Sequence, residues 1–196
     1  MLKFLGRIDL AIFIPAVLLS SFGLLMIYSV SFETDPTLFF RQVLYLLASV
    51  IIFFSVARLD FKSLVQLSPV LYALLIVSLI ATFIFGSSIR GSTSWIDFGW
   101  IRFQASELAK PILILTMAYF FTKYEPGKLR SLVFSAILVA VPVFLVFKQP
   151  DFGNSFILAS VWLFSVFIAG VNVLFLGATL LLSFAGVPFL WRLLKD

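Results

Sequence analysis

The sequence predicts an all-α polytopic membrane protein of about seven transmembrane helices, with a cytoplasmic N-terminus. Three observations predict it. Of the 196 residues 62% are hydrophobic and only 12% are charged, where an ordinary soluble domain carries about 45–50% apolar and about 25% charged residues. The mean hydropathy is +1.17. The apolar residues fall in runs of about 20, the length that crosses a bilayer, separated by short polar stretches. Backbone groups in lipid must be satisfied within the spanning segment, so the runs are helices rather than open sheet.

The first span runs from about Leu10 to Val30. Lys3 and Arg7 precede it in the manner of a signal peptide. The run is nevertheless long, has no small-x-small cleavage site and is followed by further spans, so it reads as a transmembrane helix. After Glu33-Thr34-Asp35-Pro36, a second span runs from about Leu38 to Ala57. The charged loop Arg58, Asp60, Lys62 leads to a third, from about Leu67 to Phe85. Residues 86–106 are polar and rich in Gly and Ser, and read as an outer loop. The fourth span runs from about Ser106 to Lys123, and Ser106 is its expected N-cap. Glu125-Pro126-Gly127 is a turn followed by Lys128 and Arg130. The fifth span covers about Ser131 to Phe147 and stops at Lys148-Gln149-Pro150-Asp151. From Phe152 to Trp191 there is no charged residue, too long a run for one helix, and Gly170-Val171-Asn172 divides it into a sixth and a seventh span. Residues 1–196 thus read as a single transmembrane domain.

With the N-terminus inside, Lys3, Arg7, Arg58, Lys62, Lys123, Lys128 and Arg130 lie on the inner side, half of the 14 Lys and Arg. The other half is mixed with acids, whereas the inner loops are short and basic, which favours this orientation. The formal charge of +5 then reflects loop topology and contact with membrane lipid, not nucleic acid. There is no basic stripe interleaved with aromatics.

The chain has no Cys and no His. Disulfides, His- or Cys-ligated metals, and Ser–His–Asp or Cys–His catalysis are excluded within it. Carboxylates, amines, guanidinia, hydroxyls and amides remain. A charge within hydrocarbon costs about 2.5–3.5 kcal/mol on insertion scales, so such residues are functional candidates. Glu107 and Lys110 share a helix face at a spacing of three. Asp151 enters the membrane from the same side. The three are expected to form a polar cluster, either a functional pocket or an ion-pair knot joining the fourth and sixth spans. Arg41, Arg90 and Arg102 are candidate cations on that side, with interfacial snorkelling as their plain alternative, favoured for Arg41. Trp95 stands among aromatics that usually form an interfacial belt and that also stack on sugars. Asp-Phe-Gly occurs at 97–99 and 151–153, but no Gly-rich loop or catalytic loop accompanies it, so a kinase reading fails.

Two stretches carry a resemblance. One is Arg90-Gly91-Ser92-Thr93-Ser94-Trp95-Ile96-Asp97-Phe98-Gly99, continuing through Phe103-Gln104-Ala105-Ser106-Glu107-Leu108-Ala109-Lys110. The other is Lys148-Gln149-Pro150-Asp151-Phe152-Gly153-Asn154-Ser155. Together with Asp9, Gly23 to Ser29 and Phe40-Arg41-Gln42, they resemble the SEDS family of RodA-, FtsW- and SpoVE-like peptidoglycan glycosyltransferases. Gln149-Pro150-Asp151 leans towards the RodA-like branch. Ala105, Ser94 and Asn154 stand where the family usually has Pro, Arg and Thr.

The resemblance implies an N-terminal portion of a ten-helix architecture in the bacterial inner membrane, and one function for the whole protein. That function is polymerisation of lipid II, the undecaprenyl-pyrophosphate disaccharide-pentapeptide, into glycan strands for cell elongation or division. It implies a class B penicillin-binding protein and an elongation or division complex as partners. The family's essential aspartate lies in a loop beyond Asp196, so no residue here inherits the catalytic role. Glu107, Lys110 and Asp151 match the family's polar cluster, and Arg90, Trp95, Arg102, Gln104, Ser106 and Gln149 are the substrate-side candidates. No cofactor is expected within this chain, although a divalent cation would help the pyrophosphate leave in the full-length enzyme. Two other functions stay open: a lipid II flippase or carrier, and an inactive truncated fragment.

Overall fold

The computed structural model describes residues 9–89, 92–99, 102–171 and 177. Among them are six helices and three short strands: α1 (Leu10–Ser31), α2 (Pro36–Val56), α3 (Phe61–Phe85), β1 (Ser87–Ile89), β2 (Ser92–Asp97), β3 (Arg102–Phe103), α4 (Ala105–Lys123), α5 (Leu129–Lys148) and α6 (Phe152–Ile168). The expected seventh span and Arg90 lie outside the described residues. The chain divides into two compact units, Met1–Phe61 and Lys62–Asp196.

The first unit is a helical hairpin. Asp9 caps α1 by accepting from the Ala11 amide at 2.9 Å. Asp35 caps α2 by accepting from Thr37 N at 3.1 Å, and Pro36 occupies the first helical position, where its missing N–H costs nothing. Aromatic rings clasp both ends: Tyr28 meets Phe39 at 5.3 Å beside the turn, and Phe13 meets Phe53 at 5.4 Å at the far end. Both helices are long and apolar enough to cross a membrane, and neither buries any of its apolar window. Apolar residues around the full circumference are what lipid contact requires.

The second unit has a packed interior. Leu75 and Leu79 of α3, Leu113 of α4, Val139 and Val146 of α5 and Leu158 of α6 form its core. α3 and α5 are also long and apolar enough to span a membrane. α6 is a shorter apolar helix of 17 residues. α4 has 19 residues and carries Glu107 and Lys110. At 1.5 Å per residue α4 is about 28 Å long, close to the hydrocarbon thickness. The chain is therefore an all-α polytopic membrane protein.

Polar contacts between helices replace the driving force that lipid removes. Tyr72 Oη donates to the Leu138 carbonyl at 2.7 Å, joining α3 to α5. Trp162 Nε1 donates to Ser135 Oγ at 3.0 Å, joining α6 to α5. Replacing Trp162 with Phe keeps most of the ring area and removes this donor. The expected result is a loss of about 1 kcal/mol in a denaturant titration in detergent, and Ser135→Ala on top of it should add little.

The stretch 86–106, expected as an outer loop, contains a small sheet. β1, β2 and β3 form an antiparallel sheet in that order, with Ser87 opposite Trp95 and Ile96 opposite Phe103. Asp97 Oδ1 accepts from Gly99 N at 2.8 Å, and Gly99 has φ +84°, a left-handed turn conformation that suits glycine. At the end of α3, Gly86 lies so close to other backbone that an added Cβ would stand 2.2 Å from the Thr93 carbonyl oxygen and 2.3 Å from that of Thr82.

Candidate functional site

Two chain junctions converge beside the sheet. One is the step from β3 through Gln104 into α4, and the other is the turn from α5 through Gln149-Pro150 into α6. α4 packs along α6.

Asp151 is the centre of the junction. It is the N-cap of α6, and its Oδ1 accepts from the Asn154 amide at 3.2 Å. Its Oδ2 accepts from Gln104 Nε2 at 3.0 Å, from Asn154 Nδ2 at 2.8 Å and from Ser106 Oγ at 3.4 Å. Ser106 Oγ in turn accepts from Asn154 Nδ2 at 3.2 Å. The carboxylate thus receives donors from both junctions and ties the start of α4 to the start of α6.

Ser106 does not cap α4. The helix begins at Ala105, its N-cap position is Gln104, and no side chain caps it. Ser106 is buried within the first turn, and its hydroxyl is turned to Asp151 instead.

Glu107 and Lys110 form a separate pair. Lys110 Nζ donates to Glu107 Oε1 at 2.8 Å, with side chains 26% and 54% exposed respectively. No hydrogen bond or ion pair among the described residues links either of them to Asp151. The expected single cluster is therefore two adjacent groups. A saturated carboxylate locks the junction, and an ion pair stands open on the outside of α4. A partly exposed pair gains little from its own attraction, and its ammonium can exchange partners.

The remaining candidates separate by environment. Gln149 is fully buried, and its Nε2 donates to the Leu79 carbonyl at 3.0 Å. Its own main-chain carbonyl accepts from Ser92 Oγ at 2.8 Å and from Thr93 N at 3.3 Å, tethering β2 to the α5–α6 turn. Gln149 therefore holds the scaffold and does not face an open site. Gln104 is occupied by Asp151. Arg102 pairs with Asp97 across β2 and β3 at 3.0 Å, at the surface. Trp95 is half-buried on β2. Asn154, which the sequence reading passed over as a site residue, is the junction's second hub. The Asp-x-x-Asn spacing at a helix start was a signal for it, since a side chain at that offset reaches back to the cap.

Residues 9–195 match the model of the FtsW/RodA/SpoVE family, described as cell cycle proteins. The chain is similar to the peptidoglycan glycosyltransferase MrdB of Escherichia coli K12, with 35% identity over 125 residues, 63% of this chain and 34% of MrdB. It resembles the crystal structure of the rod shape determining protein RodA of Thermus thermophilus with a TM-score of 0.76 and 24% identity, over 88% of this chain and 57% of that one. It also resembles a chain from a peptidoglycan synthase complex that coordinates polymerization and crosslinking. There the TM-score is 0.77 and the identity 25%, over 93% of this chain and 52% of that one. The chain thus spans between a third and about 60% of the length of these proteins.

Proposed function

The chain belongs to the FtsW/RodA/SpoVE family of cell cycle proteins, and from that premise we propose that it forms the N-terminal part of a lipid II-polymerising peptidoglycan glycosyltransferase. In this reaction an acceptor sugar hydroxyl attacks the anomeric carbon of a second lipid II. A new C–O bond forms with inversion, the bond to the lipid pyrophosphate breaks, and the hydroxyl proton passes to a base. The observation that carries the reading is the Lys110–Glu107 pair, open on α4 one turn from the Asp151 junction.

Negative charge develops on the departing pyrophosphate, and an oriented cation lowers that barrier. Lys110 lies one helical turn beyond Ser106 on α4 and offers three donors, only one of which Glu107 occupies. Asp151, Gln104, Ser106 and Asn154 fix the start of α4 and so the direction in which Lys110 projects. Asp151 is committed to its donors and is not the base. Among the described residues no group of three or more carboxylates converges. They do not fit a divalent cation on their own. The peptidoglycan synthase complex among the similar structures supports a penicillin-binding protein as partner, and the bacterial cytoplasmic membrane is the location this chemistry requires.

The test is a chimera in which residues 9–195 replace the corresponding segment of the E. coli relative, assayed for polymerisation of purified lipid II. Polymer is expected, with a loss of about a hundredfold in Lys110→Ala at unchanged membrane insertion. A chimera that folds and yields no polymer overturns the reading, and transbilayer movement of lipid II in the same vesicles would then favour a carrier.

A further inference from the structure

At the far end of α4 from the Asp151 junction, a cavity of about 690 Å³ opens between the last turn of α4 and the first of α5. Its charged wall is Lys123, Arg130, Lys128 and Glu125. Lys128 and Glu125 pair at 2.9 Å and offset each other's charge, a hydrogen bond that raises the Lys128 pKa above the ordinary lysine value. Lys123 lies over the Tyr119 ring at 5.8 Å and Arg130 over the Phe134 ring at 5.5 Å, and neither has a carboxylate partner among the described residues. The cavity therefore carries two uncompensated positive charges.

A second observation points into the same space. Ser131 lines the cavity and is only 7% exposed, and its hydroxyl has no hydrogen-bond partner among the described residues. Ser131 lies in the first turn of α5, a 20-residue helix whose N-cap, Lys128, supplies no side-chain cap bond. Free backbone N–H groups, the positive end of the helix dipole, an unpartnered hydroxyl on the cavity wall and two cations together describe a receptor for a phosphate oxygen.

We propose that this cavity binds the headgroup phosphate of an anionic phospholipid. The walls decide for a lipid over a free ion. Phe120, Phe134 and Leu138 line the rest of the cavity, giving apolar surface for glycerol and the upper acyl chains. The cavity also lies at the ends of helices of bilayer-crossing length, at the depth where headgroups sit. The Ser131 hydroxyl donates to a phosphate oxygen, Arg130 and Lys123 neutralise the charge, and Glu125 limits the site by holding Lys128.

The test is native mass spectrometry of the 196-residue chain released from detergent micelles, titrated with phosphatidylglycerol, phosphatidylcholine or inorganic phosphate. One phosphatidylglycerol should be retained preferentially over phosphatidylcholine. Lys123→Gln and Arg130→Gln should each weaken retention about fivefold. Ser131→Ala should weaken it by a smaller factor. Glu125→Gln, which frees Lys128, should strengthen it, so a variant that merely misfolds cannot mimic the full pattern. Equal retention of both lipids, indifference to Arg130→Gln, or weakening in Glu125→Gln would overturn the proposal. So would inorganic phosphate binding as tightly as the lipid, which would make this a free-phosphate site.

Discussion

Gly86→Ala is expected to destabilise the second unit by about 3 kcal/mol, at the upper end of overpacking effects. The new methyl carbon would stand 2.2 Å from the Thr93 carbonyl oxygen and 2.3 Å from that of Thr82. Both atoms are backbone, so no side chain can swing away. Thr82 O also accepts the Gly86 amide at 2.8 Å, and relief of the clash would break that bond too. Either the end of α3 unwinds or β2 leaves its seat. A denaturant titration in mixed micelles measures the loss, and amide exchange across 87–97 shows which of the two yields. A change under about 0.5 kcal/mol would mean that β2 does not lie this close to α3.

Asp151→Ala is the second large effect, about 3 kcal/mol, because one substitution removes a helix cap and leaves several donors without an acceptor. Gln104 Nε2, Asn154 Nδ2 and Asn154 N lose their common partner, and the link between the starts of α4 and α6 is reduced to the Asn154–Ser106 bond. Asp151→Asn should recover part of the loss. One oxygen remains to accept, but the new NH2 faces donors that it cannot serve. The same titration ranks the three proteins, and loss of polymerisation in the chimera should follow the ranking. Equal stability of the alanine and asparagine variants would show that the junction is held by something other than this carboxylate.

The spans were legible because a bilayer demands a length and a composition, and both can be read locally. α1, α2, α4, α5 and α6 begin within two residues of the expected positions, whereas α3 starts six residues earlier, at Phe61. What the sequence hides is how the helices are turned about their axes. Helices apolar all round have no preferred face, so nothing local said that Gln149 would point at the Leu79 carbonyl rather than at an open site. The same gap separated Asp151 from Lys110. Charges at the membrane boundary were expected to seek each other, yet Asp151 found nearer amide and hydroxyl partners, and Lys110 kept the carboxylate one turn away on its own helix. The sheet was missed because three short strands among Gly and Ser resemble a loop. The β-branched and aromatic residues of Ser92 to Asp97 were the signal available.

The attachment of β2 to Gln149 has a consequence for how this protein answers to mutagenesis. The acceptor in that attachment is a main-chain carbonyl, serving both Ser92 Oγ and Thr93 N. A scan that replaces residue 149 by others reads only the amide side chain and its bond to Leu79, while the tether survives every substitution unless the turn itself moves. Position 149 would score as a packing residue, and its part in seating β2 would go unseen. The tether is reached from the donor side, by Ser92→Ala or by an ester in place of the Thr93 amide. A tolerance map of this chain therefore under-reports the α5–α6 turn and assigns its work to the strand.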